Sequence, residues 1–112
     1  MVKIEAFIQP SKLEPAREAL EKIGIDGLTV SDVRGHGRQK GHKEIYRGQE
    51  YDVDLIHKVK LETVVPESLR DEVIGALVAG VRTGAIGDGK IFVSQVAEVI
   101  RIRDDARGEA AL

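Results

Sequence analysis

An α+β fold of order β-α-β-β-α-β is predicted by three observations. Apolar and charged residues alternate over 2–8, 28–34, 53–65 and 90–96, the period of half-buried strands. Between them run two apolar stripes of helical period: Leu13, Ala16, Leu20 and Ile23, then Leu69, Val73, Leu77 and Val81. The two halves also repeat weakly, since Gly24, Val30, Ser31 and Val33 return at one offset as Gly87, Val93, Ser94 and Val96. Such an order makes a ferredoxin-like split βαβ sheet with both helices on one face. The other face also carries apolar residues, so a second copy of the chain is the simplest cover for it.

Each element has a local reason. The first strand sets Val2, Ile4 and Ala6 against Lys3 and Glu5. Ser11 and Glu14 match a capping box at the start of the first helix, Pro15 is tolerated only near that start, and Gly24 supplies the stop. In the second strand Leu28, Val30 and Asp32 share one face, and Thr29, Ser31 and Val33 the other. In the third, Val59, Leu61 and Thr63 oppose Lys58, Lys60, Glu62 and Val64, and Pro66 ends the run. Glycines from Gly84 to Gly89 break the second helix before the last long strand. A short return strand is expected over 99–103, with Arg101 and Arg103 pointing the same way, and then a mobile polar tail.

A chain of 112 residues is one domain's worth. With no cysteine there is no disulfide, no thiolate metal site and no sign of an oxidising compartment, so the cytoplasm is the expected location. Hydrophobic content of 42% against 32% charged excludes a disordered chain. No apolar run approaches the roughly 20 residues of a membrane helix, and the N-terminal stretch, interrupted by Lys3 and Glu5, does not read as a signal peptide. A net charge of −2 argues against a nucleic-acid binder.

Two segments resist a purely structural account. The connection from Gly35 to Tyr51 is too long for a simple turn, and its glycines Gly35, Gly37 and Gly41 let backbone approach a ligand or swing. A solvated β-ribbon is the plain alternative. Both tyrosines, Tyr46 and Tyr51, stand in it as partner anchors or modifiable hydroxyls. The second segment, Gly84 to Lys90, fits G-x4-G-K, the opening of a P-loop. Ile91 stands where the metal-binding hydroxyl belongs, and a helix precedes the turn instead of following it, so a P-loop NTPase is rejected. Backbone N–H groups of such a turn can still cradle phosphate, with Lys90 adding charge. Arg38, Lys40, Lys58, Arg101 and Arg103 supply further cations, which favours an anionic small ligand over solvated side chains alone. No catalytic motif is present, and His36, His42 and His57 lack metal spacing.

In these residues the chain resembles the PII signal-transduction proteins of nitrogen metabolism. The resemblance spans Val2 to Arg103 and is carried by Gly37-Arg-Gln-Lys-Gly-His42, Tyr46-Arg-Gly48 with Glu50-Tyr51, Thr83 through Ser94, and Ile100-Arg-Ile-Arg103. It implies a homotrimer with inward-facing sheets, binding ATP or ADP in three clefts between subunits and, with Mg²⁺ and ATP, 2-oxoglutarate. It further implies a T-loop at about 36–54, a B-loop at about 82–90 and a C-loop or tail at about 102–112, all within a single domain, 1–112. By position, Gly87, Asp88, Gly89 and Lys90 would hold phosphates, with Gly35, Gly37 and Arg38 near them. Arg101 and Arg103 would arrive from the neighbouring subunit, and Thr29, Glu62 and Val64 would form the adenine end. Gln39 would ligate Mg²⁺ and, with Lys40, Gly41 and Lys58, hold 2-oxoglutarate; Tyr51 matches a nucleotidylylated tyrosine. The implied function is a non-enzymatic sensor of nitrogen, carbon and energy status. Its T-loop would address an ammonium transporter, a glutamine-synthetase-modifying enzyme or N-acetylglutamate kinase, with no nucleic-acid partner and membrane contact only through the transporter. Two alternatives are a PII-like paralogue tuned to another small anion and a small nucleotide-dependent enzyme, for which no general base is found.

The departures from the family pattern are local. Gln9, Ser11, His36, Lys43 and Gln49 replace common Arg, Phe, Phe, Thr and a small residue, so the phosphoserine of some relatives has no counterpart at Gln49. Phe7 replaces an aliphatic residue near the nucleotide, and Asp104-Asp-Ala106 replaces Thr-Gly-Glu. Those carboxylates either face solvent or pair with Arg103 in competition with phosphate.

Overall fold

The computed structural model describes residues 1–36, 43–46, 49–52 and 55–112, with side chains described for 1–36 and 55–112. Its strands are β1 (Val2–Ile8), β2 (Thr29–Gly35), β3 (Lys43–Tyr46), β4 (Gln49–Asp52), β5 (Ile56–Val65) and β6 (Gly89–Gln95). The helices are α1 (Leu13–Lys22) and α2 (Arg70–Val81). Four strands form one antiparallel sheet in the order β2-β5-β1-β6, and β3 pairs with β4 as a separate ribbon. Setting that ribbon aside, the order is the expected β-α-β-β-α-β, so the long connection contains the β-ribbon that was its plain alternative. Residues 53 and 54, the expected start of the third long strand, lie outside the described residues, and β5 begins at Ile56.

Alternation decides which face is dry. Val2, Ile4, Ala6 and Ile8 of β1 and Val59, Leu61 and Val65 of β5 are buried beneath the helices. Ala16 and Leu20 of α1 and Val73, Leu77 and Val81 of α2 meet them, with Leu13, Ile23 and Leu69 partly buried at the edge. Burial of each such side chain stabilises by roughly 1.5–3 kcal/mol. Thr63 is the one buried polar side chain among the described residues, and its hydroxyl donates to the Gly27 carbonyl at 2.8 Å. The helices touch closely at Gly80, where a Cβ would stand 3.2 Å from both Ala19 Cβ and the Pro15 carbonyl oxygen.

Three local expectations need correction. Ser11 caps nothing, because a 3-10 turn, Pro10–Lys12, leads into α1 and its backbone takes over the work of a cap. Lys12 N–H donates to the Gln9 carbonyl at 2.9 Å, while Glu14 pairs with Arg17 at 2.8 Å. Pro15 falls in the first turn, where its missing N–H costs no helical bond. The return strand over 99–103 reduces to a single bridge, Ile100 with Arg107. A tight turn intervenes, with the Asp105 N–H on the Arg101 carbonyl at 2.8 Å and the Arg101 N–H on the Ala106 carbonyl at 2.9 Å. Arg101 and Arg103 therefore do not share a strand face. Nor is the polar tail loose, since Gly108 N–H bonds the Val99 carbonyl at 3.0 Å and Gly108–Ala111 forms a 3-10 turn.

The second sheet face is divided. Its strand register groups Lys3, Glu5, Lys60 and Glu62 in a ladder of ion pairs 3.0–3.9 Å long. The end nearer the long connection is apolar, with Phe7, Val33, Ile56 and Phe92.

Candidate functional site

The site begins with a strand pairing that only glycine allows. In the β1–β6 register Ile8 faces Gly89 and Phe7 faces Lys90. A Cβ on Gly89 would lie 1.8 Å from the Phe7 carbonyl oxygen, and its φ of +110° is a conformation that residues with side chains rarely adopt. The turn before it is therefore drawn hard against β1.

Asp88 shapes that turn from within. Its Oδ2 accepts the N–H groups of Thr83 and Gly84, both at 2.8 Å, and its Oδ1 accepts the Thr83 hydroxyl. The hydroxyl bond first, then the two backbone donors, hold the carboxyl below its ordinary range. Asp88 is among the residues expected around phosphate, and its carboxylate braces the turn from within. The Gly87 carbonyl is held by Gln9 Nε2 at 2.9 Å and Lys58 Nζ at 3.0 Å. Partial burial pushes the Lys58 ammonium down, while nearby Asp88 acts in the opposite sense.

Together these parts wall a cleft of about 510 Å³. Its lining interleaves Arg34, His36, Lys58 and Lys90 with Val33, Ile56, Ile86 and an aromatic pair. Phe7 and Phe92 meet edge to face, 5.7 Å between centroids at 83°. A volume and lining of this kind suit a small anion that also carries an apolar or planar part.

Of the residues singled out in the sequence, Gly35, Lys58, Gly87, Asp88, Gly89 and Lys90 come together here. Thr29 and Glu62 are cross-strand partners on the same sheet face, further along, and Val64 is on that face opposite Lys3. Arg101 and Arg103 lie on the C-terminal segment, outside the cleft of their own chain. Gly37, Arg38, Gln39, Lys40 and Gly41 lie outside the described residues, as does the Tyr51 side chain, although β4 contains Tyr51 and pairs it with Glu44. Sequence reasoning missed Thr83, Phe92, Val33, Ile56 and Arg34. Alternation did place Val33 and Phe92 on the face away from the helices, and that signal could have found them.

A profile of the family described as "Nitrogen regulatory protein P-II" matches residues 1–106. The chain belongs to the P-II family. A P-II protein of Haemophilus influenzae is 56% identical over 112 residues, covering all of both chains. P-II 1 of Escherichia coli K12 is 54% identical with the same full coverage. The solved structure of Arabidopsis thaliana PII bound to citrate superposes with a TM-score of 0.81 at 44% identity, over 99% of this chain and 91% of that one. P-II proteins are nitrogen regulators and not enzymes, and they bind small effectors. Among the described residues no P-II helix is long and apolar enough to cross a membrane.

Proposed function

We propose that this P-II protein reports nitrogen, carbon and energy status by binding ATP or ADP and, with Mg²⁺ and ATP, 2-oxoglutarate. The observation that carries this reading is the glycine turn ending at Lys90, which lines the cleft together with Lys58, whose Nζ bonds the Gly87 carbonyl at 3.0 Å. Gly87 and Gly89 let backbone N–H groups approach a phosphate chain, Lys90 adds charge, and Asp88 keeps the turn in shape. Thr29, Glu62 and Val64 take the base, and the chain beyond the turn, through Arg101 and Arg103, completes the site of a neighbouring copy in a homotrimer. That assembly also covers the second sheet face. Gln39 supplies an amide oxygen to Mg²⁺, as a hard cation requires. Lys58, with Lys40 and Gly41, receives 2-oxoglutarate.

The division of labour follows one domain, 1–112. A T-loop at about 36–54 addresses nitrogen-metabolism targets in the cytoplasm, an ammonium transporter, a glutamine-synthetase-modifying enzyme or N-acetylglutamate kinase among them. The B-loop at about 82–90 holds phosphate, and the C-loop or tail begins at about 102. Calorimetric titration with ATP, then with 2-oxoglutarate in the presence of Mg²⁺ and ATP, tests the reading. Tight ATP binding followed by Mg²⁺-dependent 2-oxoglutarate binding supports it; no ATP binding sinks it. A second reading, another small carboxylate as effector, is favoured by the citrate on the Arabidopsis relative. The same titration with citrate in place of 2-oxoglutarate separates the two.

A further inference from the structure

The C-terminal turn has an anion of its own. Arg101 gives Nε to Asp104 Oδ1 at 3.0 Å and Nη2 to Asp104 Oδ2 at 2.8 Å. This is the forked, two-bond geometry by which a guanidinium takes a carboxylate or a phosphate. The remaining arm, Nη1, reaches the Ala110 carbonyl at 3.4 Å. Arg103 Nη2 stands 3.8 Å from the same Asp104 Oδ2, so the carboxylate sits between both arginines.

The backbone builds this arrangement. Asp105 adopts φ +58°, a left-handed residue that closes the turn, and Asp104 Oδ1 accepts the Ala106 N–H at 3.2 Å. Arg107 is tied off separately, by Glu98 at 2.5 Å and Asp105 at 3.6 Å. The Arg101 fork first, then the Ala106 N–H, hold the Asp104 carboxyl below its ordinary range, so it is anionic at neutral pH. Side-chain exposures of 36% for Arg101 and 41% for Asp104 leave the pair open to water and to displacement.

We propose that Asp104 is a built-in competitor for the phosphates of a nucleotide: it occupies the Arg101 fork in the ligand-free chain and must be displaced when phosphate arrives. The inference rests on the nucleotide reading above and adds a regulatory element to that site. The carboxylate sets a threshold for nucleotide, not a block, because an exposed ion pair is weak. Salt screens both this pair and the arginine–phosphate contact, so the effect of Asp104 shrinks as salt rises.

The test is calorimetric ATP affinity at about 0.05 and 0.5 M salt. Asp104→Asn keeps an oxygen for the Ala106 N–H and removes the charge; Asp104→Thr with Asp105→Gly removes the anion and relaxes the left-handed residue. Both are expected to bind ATP about three- to fivefold more tightly than the wild type at low salt, with the gap narrowing at high salt. In an Arg101→Ala background, Asp104→Asn should gain much less, because the fork it frees is gone and only the longer Arg103 contact at 3.8 Å remains. Equal affinities of wild type and Asp104→Asn at low salt overturn the competitor and leave the nucleotide reading standing. Weaker binding by Asp104→Asn also overturns it, by making Asp104 a support for Arg101. No ATP binding by any of the chains overturns the nucleotide reading, and the competitor with it.

Discussion

Replacing Gly89 by alanine should be the most damaging single-methyl change in the cleft. The Cβ would stand 1.8 Å from the Phe7 carbonyl oxygen, whereas real Cβ contacts stay beyond 3.0 Å, and the obstacle is backbone that cannot rotate aside. Strand β6 must therefore move more than an ångström from β1 at this rung. A side chain at φ +110° adds backbone strain of about 1–3 kcal/mol. Each ladder hydrogen bond lost as the rung opens adds about 0.5–1.5 kcal/mol. Together these give a destabilisation of about 3 kcal/mol, enough to lower the melting temperature of a domain this size by roughly 10 °C. Two other glycines separate the contributions. Gly84, at φ +90° with nothing within 4 Å of its Cβ, has strain but no clash, and its alanine variant should lose about 1–2 kcal/mol. Gly35 has neither, and its alanine variant should stay within about 0.5 kcal/mol of the wild type. Thermal melts of all four chains at one concentration decide the matter, since assembly shifts melting by mass action. If Gly89→Ala melts within a few degrees of Gly84→Ala, the close approach of the turn to β1 is not what stabilises it.

Other outcomes are open to measurement. Lys58→Ala should weaken 2-oxoglutarate binding about tenfold or more, as a charge-assisted contact is lost; ATP affinity should change far less, because Gln9 keeps its bond to the Gly87 carbonyl at 2.9 Å. An equal loss for both ligands in calorimetry refutes that assignment. Gln39→Ala should remove the Mg²⁺ dependence of effector binding, and an unaltered Mg²⁺ titration counts against it. Leu20 and Leu77 are fully buried, so either change to alanine should cost about 2–5 kcal/mol in a urea melt. The Asp88 carboxyl is depressed from 3.8, so the stability it contributes is complete above that value and is lost as pH falls through the lowered folded value. Melts of wild type and Asp88→Asn should differ above that range, with the wild type the more stable, and converge as pH falls through the lowered value.

Most of the scaffold was legible in residue order because short-range periodicity reports burial directly. Val59, Leu61 and Thr63 are dry, and Lys58, Lys60 and Glu62 are not, for the same reason that successive strand residues point to opposite faces. Gly24 ends α1 at φ +82°, and the stripe through Val73, Leu77 and Val81 is the buried face of α2. The glycine turn and Lys58 were also visible, as residue types whose chemistry suits an anion. What local pattern left open was every choice between partners distant in the chain. Ser11 and Glu14 satisfy a capping rule, yet the chain enters α1 through a 3-10 turn that bonds the Lys12 and Leu13 N–H groups to the Gln9 and Pro10 carbonyls, and Glu14 pairs with Arg17. Arg101 and Arg103 alternate as a strand would, yet a strand needs a neighbour, and one bridge to Arg107 is all the tail provides. Asp104 could have faced water or Arg103, and the turn closed by Asp105 placed it on the Arg101 fork with Arg103 3.8 Å away. Asp88 carries the charge of a ligand for cations, but two backbone donors and a hydroxyl at Thr83 and Gly84 converge on it only once the chain has folded. Periodicity is a property of neighbours along the chain, so sequence reveals it; the pairing of Gly89 with Ile8 and of Lys58 with the Gly87 carbonyl exists only when three strands lie side by side.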